Sequence, residues 1–318
     1  MVALAPFCRQ IASAASVRSL ARFHGVSTGT IANRTDRLMR QALVALTALS
    51  QRERIAENLC ADGFQTFSVS QFFPCDVNLL IGTNSDMVYS FDYALLRRRG
   101  RMTRAQREKR RDLDRKVAFE PRSTERSFTR ILDKVVSLYT RHLSNTRVLW
   151  TDKHHAYKIA WNSHPHVRHL EARGQLAHNT VSSHRARNAT NPLRSANYMD
   201  REIRKDRADH HRESVCFARN TAAMLSRLAI YFAYRNILKP RRIIGSRSPL
   251  PTQTVLESHA HSAGISASTQ VQIIVGMVQE RYFLTREYLP PFYENLWRKS
   301  VPTPLKKKPE YVPAYALS

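Results

Sequence analysis

The chain has 318 residues, an apolar fraction of 42%, and 51 Lys and Arg against 25 Asp and Glu, which gives a formal net charge of +26. This length allows two or three folded units, and the apolar fraction is that of a folded protein rather than a disordered one. The charge predicts a polyanionic partner. Nucleic acid is favoured because phosphate contacts dominate such interfaces. A merely basic surface with no polyanionic partner is the alternative.

A membrane partner is not expected from the sequence. No apolar run approaches the roughly 20 residues that a membrane-spanning helix needs, and no helix with a clean Lys/Arg face stands out. The apolar patch at residues 1 to 16 has no basic region ahead of it, so we expect no secretory signal. The expected location is the cytoplasm, in association with the nucleoid.

The cysteines give no sign of a disulfide framework or a zinc ribbon. Cys8, Cys60, Cys75 and Cys216 are scattered and include no close pair. A reducing compartment fits this pattern.

Residues 16 to 40 predict a helix-turn-helix. Ser16 is a suitable N-cap for the first helix, and the turn that follows contains Gly25. A second helix is predicted from Thr28 to Met39, and the helical pattern continues beyond it. Ile31 of this second helix should pack back on the small and apolar residues of the first.

The exposed face of the second predicted helix carries residue types that reach phosphates and base edges in a major groove. These residues are Thr28, Thr30, Asn33, Arg34 and Arg37. An ordinary helical hairpin is the alternative, and the basic charge of the chain favours DNA binding over it.

Three short β-branched or aromatic runs follow, at residues 58 to 62, 76 to 82 and 87 to 93. Turn residues separate them, so they predict three consecutive strands. Three strands in succession predict an antiparallel start to a sheet.

A block of basic residues follows, from Leu95 to Lys116. Such a block would repel itself without a partner, so we interpret it as a loop or helix that follows a DNA backbone. The basic residues at its start are Arg97, Arg98, Arg99, Arg101 and Arg104.

The next elements complete the predicted sheet. A helix capped by Ser123 or Thr124 and reaching Tyr139 has an apolar face that should lie on the sheet. Arg147 to Asp152 then predicts a fourth strand. This order of elements predicts a mixed α/β sheet with right-handed crossovers.

The rest of the chain is predicted by its patterning alone. In order, it reads as a helix at 153–161, a short last strand at 166–170, a loop at 172–194 and a long helical stretch at 197–238. Beyond Pro240 a Ser/Pro-rich linker at 245–253 precedes a helix at 268–285 and a flexible tail.

Asp62 and Asp152 both lie at the ends of predicted strands. Because a carboxylate is costly to bury without a partner, two of them at the end of one sheet invite a cation, and oxygen ligands suit Mg²⁺. Two such ions about 4 Å apart can activate an attacking hydroxyl and stabilise the leaving oxygen in phosphodiester chemistry. That chemistry needs a third acid, which is expected on a helix packed against the sheet.

Asp200 and Glu202 are the candidates for the third acid. They lie two residues apart and point about 200° away from each other, so only one can face the other two acids. Glu213 is a weaker candidate because it lies much further along. A helix cap or a surface ion pair is the alternative role for any one acid alone. His154, two residues after Asp152, is expected as a phosphate contact or proton carrier, since no second Cys or His pair supports a zinc site.

Taken in order, these motifs resemble insertion-sequence transposases of the three-acid, RNase H-like type, and the resemblance runs from roughly Val17 to Leu238. The segments that carry it are Ala61–Phe64, Ala94–Thr103, Thr151–Tyr157 and Arg212–Asn220.

The resemblance implies that Asp62 and Asp152 are the first two metal ligands and that the acid of Asp200-Arg201 is the third. Related transposases commonly have Glu before this Arg, whereas this chain has Asp200 with Glu202 nearby, so the third ligand stays open between the two. Related proteins also often carry a Cys-rich zinc module ahead of the helix-turn-helix, and this chain has only Cys8 there.

The implied architecture is an RNase H-like mixed sheet flanked by helices, preceded by an all-α helix-turn-helix domain. The expected regions are the helix-turn-helix at 1–50, a catalytic domain at 55–240 with a basic insertion at 95–122, and a C-terminal extension at 241–318.

The implied activity is DNA transposition with Mg²⁺ or Mn²⁺ as cofactor. Water attacks a phosphodiester first, and the freed 3′-hydroxyl then attacks target DNA. The expected partners are double-stranded DNA at the element ends and at the target, and further copies of the chain in a homo-oligomer. One alternative is a non-catalytic helix-turn-helix protein or a degenerate transposase that only binds, and another is a structure-specific nuclease on the same fold.

Overall fold

The computed structural model of the protein describes residues 4–52, 55–140, 146–211, 218–241, 257–277, 289–306 and 310–317. Within these ranges the chain is an α/β protein with a five-stranded mixed sheet flanked by helices. The predicted α/β class and mixed sheet are therefore confirmed.

The sheet joins an antiparallel half to a parallel half. Its strands are β1 (Leu59–Phe67), β2 (Pro74–Gly82), β3 (Val88–Leu95), β4 (Arg147–Asp152) and β5 (Leu176–Val181), in the order β3-β2-β1-β4-β5. β1, β2 and β3 pair antiparallel, as predicted, whereas β4 pairs parallel to both β1 and β5. The chain therefore returns across the sheet to make β1 and β4 neighbours.

The helices of the described ranges lie on both faces of this sheet and at its ends. They are α1 (Leu4–Ala12), α2 (Val17–His24), α3 (Thr28–Arg52), α4 (Arg104–Lys116), α5 (Ser123–Tyr139), α6 (His155–Ser163), α7 (Pro165–Ala172), α8 (Arg194–Asp206), α9 (Thr221–Ala233), α10 (His259–Ser262), α11 (Ala267–Val275) and α12 (Pro291–Trp297). A π-helical turn at Tyr234–Leu238 extends α9, and short 3-10 turns occur at Ala208–His210 and Ala314–Ala316.

Alternation along the strands assigns the helices to opposite faces. On one face, Asn78 of β2 donates to Ser127 of α5 and accepts from Tyr157 of α6. On the other face, Phe91 of β3 packs against Phe232 of α9. The sheet is thus covered on both sides.

The N-terminal helices α2 and α3 are joined by a short turn, as the sequence predicts. The Ser16 hydroxyl accepts a hydrogen bond from the Ser19 amide at 3.0 Å and caps α2. Gly25 ends α2 with φ 61°, a left-handed conformation that favours glycine. Ile31 of α3 is fully buried, as expected for the residue that packs back on α2.

The helix α3 is long, and its second half belongs to the main core. It packs against α9 and β3, and α1 also packs against α9. Buried residues of these helices and of the sheet form one continuous apolar cluster. The division of the chain into regions at residues 50 and 240 stays a prediction.

Two predictions after β4 are wrong. Residues 166–170 lie in α7 rather than in a strand: Pro165 opens this helix, His164 caps it, and the buried residues Val167 and Leu170 recur with helical spacing. The last strand is instead β5, inside the segment that was predicted to be a loop. β5 is an edge strand with only Leu176 and Val181 buried, so its sequence lacks a strong apolar pattern.

Two helix predictions also need correction. Neither Ser123 nor Thr124 caps α5: the N-cap is Arg122, with φ 55° and no side-chain cap, and the Ser123 hydroxyl bonds to the Leu95 carbonyl instead. The stretch at 197–238 is not one helix, because α8 ends at Asp206 and a new helix begins at Thr221.

Arg40 connects α3 to the C-terminal part of the chain. It is fully buried, and its Nε and Nη2 atoms donate to the Trp297 carbonyl at 3.2 and 3.1 Å. Its guanidinium lies over the rings of Trp297 and Tyr315. Lys299 forms an ion pair with Asp36 one turn earlier on α3.

Arg40→Ala should destabilise the protein by about 2–4 kcal/mol, because it leaves the buried Trp297 carbonyl without donors and removes the packing of the side chain. Urea unfolding of wild type and variant measures the difference. The control Arg22→Ala removes an exposed arginine of α2 and should stay within about 0.5 kcal/mol of wild type. Equal losses in both variants would contradict the assigned role of Arg40.

Candidate metal and nucleic-acid site

Asp62 and Asp152 lie on neighbouring parallel strands. Asp152 is the last residue of β4, as predicted, whereas Asp62 is the fourth of the nine residues of β1, so the prediction that this strand ends at Asp62 is wrong. The ladder between β1 and β4 pairs Leu59 with Leu149 and Cys60 with Trp150. Both strands run on for at least two more residues, so the same register brings Asp62 level with Asp152. Adjacent strands are about 4.8 Å apart, which makes these two carboxylates close neighbours at the end of β4.

Helix α8 brings Asp200 to the same place. The side chain of Cys60, two residues before Asp62, contacts the backbone of Ala196 in α8. α8 also packs against β1 along more than this one contact. Asp200, four residues after Ala196, lies close enough for its charge to raise the pKa of Asp62.

Glu202 points elsewhere. Its carboxylate is buried and forms an ion pair with Lys239, with Oε2 2.8 Å from Nζ. This direction follows from the rotation of about 200° between residues two apart in a helix. Of the two candidates for the third acid, the structure brings only Asp200 to Asp62 and Asp152. Glu213 lies outside the described residues.

Asp76 is a fourth acid at this site, and the sequence analysis missed it. It lies on β2 opposite Gln65, and its carboxylate covers the backbone of Gly63, where the Cβ of any larger residue would overlap it. Gly63 directly follows Asp62. A glycine beside an acid in one strand, with a second acid on the next strand, is the signal that could have identified Asp76.

We name Asp62, Asp76, Asp152 and Asp200 the four-acid cluster. Burial and then the charges of Asp200 and Asp152 raise the pKa of Asp62 from 3.8 to about 7. Burial is also the main cause that raises the pKa of Asp76 to about 6; His154 acts to lower it and Asp152 to raise it. The four carboxylates are thus close enough to repel one another.

Tyr157 of α6 is close enough to the four-acid cluster to be affected by its charges. Burial raises the pKa of its hydroxyl first, and the charges of all four acids raise it further. The hydroxyl donates to Asn78 Oδ1 at 3.0 Å, and Asn78 Nδ2 donates to the Ser127 hydroxyl at 2.8 Å. This chain of hydrogen bonds joins α6 and α5 to β2.

The donor set suits a divalent cation in its chemistry. Carboxylate oxygens are the ligands that Mg²⁺ prefers, and a cation would relieve the repulsion that raises the pKa of Asp62. In the described part of the chain, no three His, Cys, Asp or Glu side chains are grouped closely enough to hold one ion as they stand. Binding would therefore have to draw the carboxylates closer together.

A basic cavity of about 990 Å³ lies on the α6 side of the cluster. We name it the α6 cavity. Arg97, Arg98 and Arg99 line one wall, and His154 and His155 line the other. The amide of His154 donates to Asp152 Oδ1 at 2.9 Å, so the cavity borders the four-acid cluster.

Aromatic residues hold the arginines of this cavity in place. The Arg97 guanidinium lies over Phe119 at 5.1 Å, and the Arg98 guanidinium lies over Phe72 at the same distance. Arg110 of α4 donates to the Arg98 carbonyl at 3.3 Å. The predicted basic block is thus an extended segment followed by α4, and Arg101 and Arg104 of this block are exposed.

A second basic cavity, of about 690 Å³, lies on the α8 side. We name it the α8 cavity. Its lining includes Asp200 of the cluster together with Tyr198 and the arginines Arg187, Arg194, Arg201 and Arg204. None of these arginines was predicted as a DNA contact, because they are dispersed over a loop and a helix in the sequence.

The residues predicted to read DNA on α3 are mostly accessible. Thr28, Asn33 and Arg37 are exposed, whereas Thr30 and Arg34 are partly buried. The Thr30 hydroxyl also bonds to the Ser27 hydroxyl at 2.9 Å. Accessibility permits DNA contact, and the role of these residues stays a prediction.

No protein-family model matches the sequence, and a search of curated proteins finds no match to it. Among the described helices, none has both the length and the apolar character required to cross a membrane.

Asp62→Asn should stabilise the cation-free protein at pH 8, and this advantage should shrink steadily as the pH falls from about 7 towards the ordinary value of 3.8. The native pKa of Asp62 lies above its unfolded value, so native-state stability is lost as the pH rises through about 7 and is recovered below it. A pKa rise from 3.8 to about 7 corresponds to at most about 4 kcal/mol. Thermal unfolding in EDTA measures the effect.

The same experiment with MgCl₂ tests the cation. Mg²⁺ should raise the unfolding temperature of wild type at pH 8 much more than at pH 5, where protons compete. Asp62→Asn should lose this response, and Asp112→Asn, which changes an exposed acid of α4, should keep it. An undiminished response of Asp62→Asn would rule out the four-acid cluster as the site.

Gly63→Ala should destabilise the protein by about 1–3 kcal/mol, because its methyl group overlaps the Asp76 carboxylate. Adding Asp76→Ala to this variant should relieve the overlap, so the two changes should be strongly non-additive in urea unfolding. Gly29→Ala, whose methyl group meets only an ordinary contact in α3, should be neutral or stabilising. Additive losses at Gly63 and Asp76 would contradict the close contact.

Proposed function

We propose that the protein is a DNA transposase of the three-acid, RNase H-like type, which cleaves and joins phosphodiesters with a divalent cation. The observation that carries the proposal is the convergence of three acids, Asp62 within β1, Asp152 at the end of the neighbouring parallel strand β4, and Asp200 on α8. The mixed sheet with helices on both faces is compatible with this fold. The motif resemblance described above agrees with both.

The charge distribution supports a nucleic-acid substrate. Basic cavities border the four-acid cluster on the α6 side and on the α8 side. Arginines in these cavities would neutralise a DNA backbone that passes over the cluster, and this favours binding by release of counterions. A small anionic substrate would not need two such cavities or a net charge of +26.

Asp62, Asp152 and Asp200 would hold the cation, Mg²⁺ or Mn²⁺, with Asp76 beside them. When bound, the cation supplies charge stabilisation and an activated attacking oxygen for in-line displacement at phosphorus. Arg97, Arg98 and Arg99 bind and orient the strand in the α6 cavity, and His154 contacts a phosphate there. Water is the attacking group in cleavage, and the freed 3′-hydroxyl is the attacking group in strand transfer.

DNA recognition belongs to the N-terminal helices in this proposal. The exposed residues at the start of α3 read the element end in the major groove. Transposition joins two element ends to one target, so the active form is a homo-oligomer on double-stranded DNA. Such a protein works in the cytoplasm, in association with the nucleoid.

Asp200→Asn should reduce Mg²⁺-dependent cleavage and strand transfer of labelled element-end DNA by at least about 100-fold, as should Asp62→Asn and Asp152→Asn. Glu202→Gln should keep cleavage within about tenfold of wild type, although it weakens the ion pair with Lys239. Binding of the same DNA in EDTA should stay within about threefold for all four variants. Gel assays of cleavage and anisotropy assays of binding give the two readouts.

The wild-type result separates the alternatives. Binding without Mg²⁺-dependent cleavage would favour a non-catalytic DNA-binding protein, and cleavage without strand transfer would favour a nuclease on the same fold. Cleavage that survives Asp62→Asn and Asp152→Asn would rule out the proposed site. Loss of cleavage in Glu202→Gln but not in Asp200→Asn would show that Glu202, and not Asp200, is the third acid.

A further inference from the structure

The α8 cavity combines the chemical groups that bind an unpaired nucleotide. Arg187 and Arg201 supply exposed positive charge, Tyr198 supplies an aromatic ring, and Asn188 and Asn197 supply amides that can pair with a base edge. Basic side chains beside an aromatic ring characterise single-strand binding sites, where bases leave the stack and lie on a ring. Its volume of about 690 Å³ is large enough for one nucleotide.

The Tyr198 ring contacts a buried arginine. The buried guanidinium of Arg235 lies 5.9 Å from the centre of the ring. Arg235 is itself fixed by a hydrogen bond from Nη1 to the Asp86 carbonyl. Tyr198 itself is only partly buried, so part of its ring is open to a ligand.

The Tyr198 ring also contacts Arg201, and a base could replace this contact. The Arg201 guanidinium lies 5.3 Å from the ring centre, and Arg201 is exposed. An exposed cation–π pair is weaker than the stacking of a base on an aromatic ring. A base can thus take the place of Arg201 on the ring, and the displaced guanidinium remains near enough to pair with the phosphate.

The other basic residues of the cavity are fixed by the protein itself. Arg194 pairs with Asp86, with Nη2 2.9 Å from Oδ1, and Arg204 donates to the carbonyls of Gln65 and His210. These residues supply a constant positive field. Arg187 and Arg201 make no ion pair with any described residue, which leaves their charge for a ligand.

The loop that carries Arg187 is preorganised by its own hydrogen bonds. Asn188 Oδ1 accepts from the Thr190 amide and hydroxyl, and Asn191 Nδ2 donates to the Ala186 carbonyl at 2.9 Å. Arg185 also donates to the Thr190 carbonyl. The loop therefore presents Arg187 to the cavity without having to fold on binding.

We propose that the α8 cavity binds an unpaired DNA nucleotide next to the reacting phosphodiester, with the base stacked on Tyr198 and its phosphate on Arg187 and Arg201. This inference rests on the proposed function for the identity of the nucleic acid. Asp200 lines the same cavity, so a nucleotide there lies directly beside the four-acid cluster. An unpaired nucleotide at the end of the element would hold the DNA strand in register with the acids.

Two DNA hairpins test this, one blunt and one with a three-nucleotide unpaired 3′ extension that carries 2-aminopurine. Both are titrated in EDTA, so that no cleavage is needed. Wild type should bind the extended hairpin about tenfold more tightly than the blunt one, as one stacked base implies. The 2-aminopurine emission should fall as the base stacks on Tyr198.

Tyr198→Leu should bring the two affinities within about twofold and abolish the change in emission, while binding of the blunt hairpin stays the same. Tyr198→Phe keeps the ring and should behave as wild type, which shows that stacking rather than a fold defect is measured. The control Tyr311→Leu removes a tyrosine that is 79% exposed in the C-terminal segment and should change nothing.

Several outcomes would overturn the proposal. They are equal binding of the two hairpins by wild type, an unchanged preference in Tyr198→Leu, and a loss of preference in Tyr198→Phe equal to that in Tyr198→Leu. The same experiments test the proposed function separately from the nucleotide site. If wild type prefers the extended hairpin in EDTA but cleaves no DNA with Mg²⁺, the nucleotide site is supported and the transposase activity is ruled out. If wild type cleaves DNA with Mg²⁺ but binds the two hairpins equally, the transposase activity is supported and the nucleotide site is ruled out.

Discussion

Repulsion among partly buried carboxylates is the constraint on which the rest of this structure depends. Asp62, Asp76, Asp152 and Asp200 meet where little water screens them, and the pKa of Asp62 rises to about 7 as a result of burial and of its neighbours. Such an arrangement costs folding stability, and ordinary packing does not require it. Carboxylates with pKa values raised in this way are typical of functional sites, and this is the physical basis of the proposed cation site.

The positive charge of the chain is placed around this cluster. Arginines line the cavities on both sides of it, and the aromatic rings of Phe72 and Phe119 hold guanidinium groups of the α6 cavity. Because these rings fix the arginines, less side-chain entropy is lost when an anion binds. The arrangement concentrates a positive field where a negatively charged strand would approach the acids.

The long helix α3 links the two ends of the chain to the core. Its first turns carry exposed polar residues, its second half packs on α9, and between them Asp36 and Arg40 contact the C-terminal segment. This continuity explains why a boundary at residue 50 is hard to see in the packing.

The sequence by itself determined many local elements and singled out Asp62 and Asp152. The short run that ends in an acid identified β4 with Asp152, and the cap and glycine turn identified α2 and α3, because these signals are local. The run at 166–170 was assigned to a strand, although Pro165 and the spacing of Val167 and Leu170 favour the helix α7. Only the tertiary structure decided which distant residues meet. The packing of α8 against β1 selected Asp200 over Glu202, and strand pairing brought in Asp76. The edge strand β5 escaped prediction because burial on one side only leaves a weak pattern, and burial is set by the whole fold.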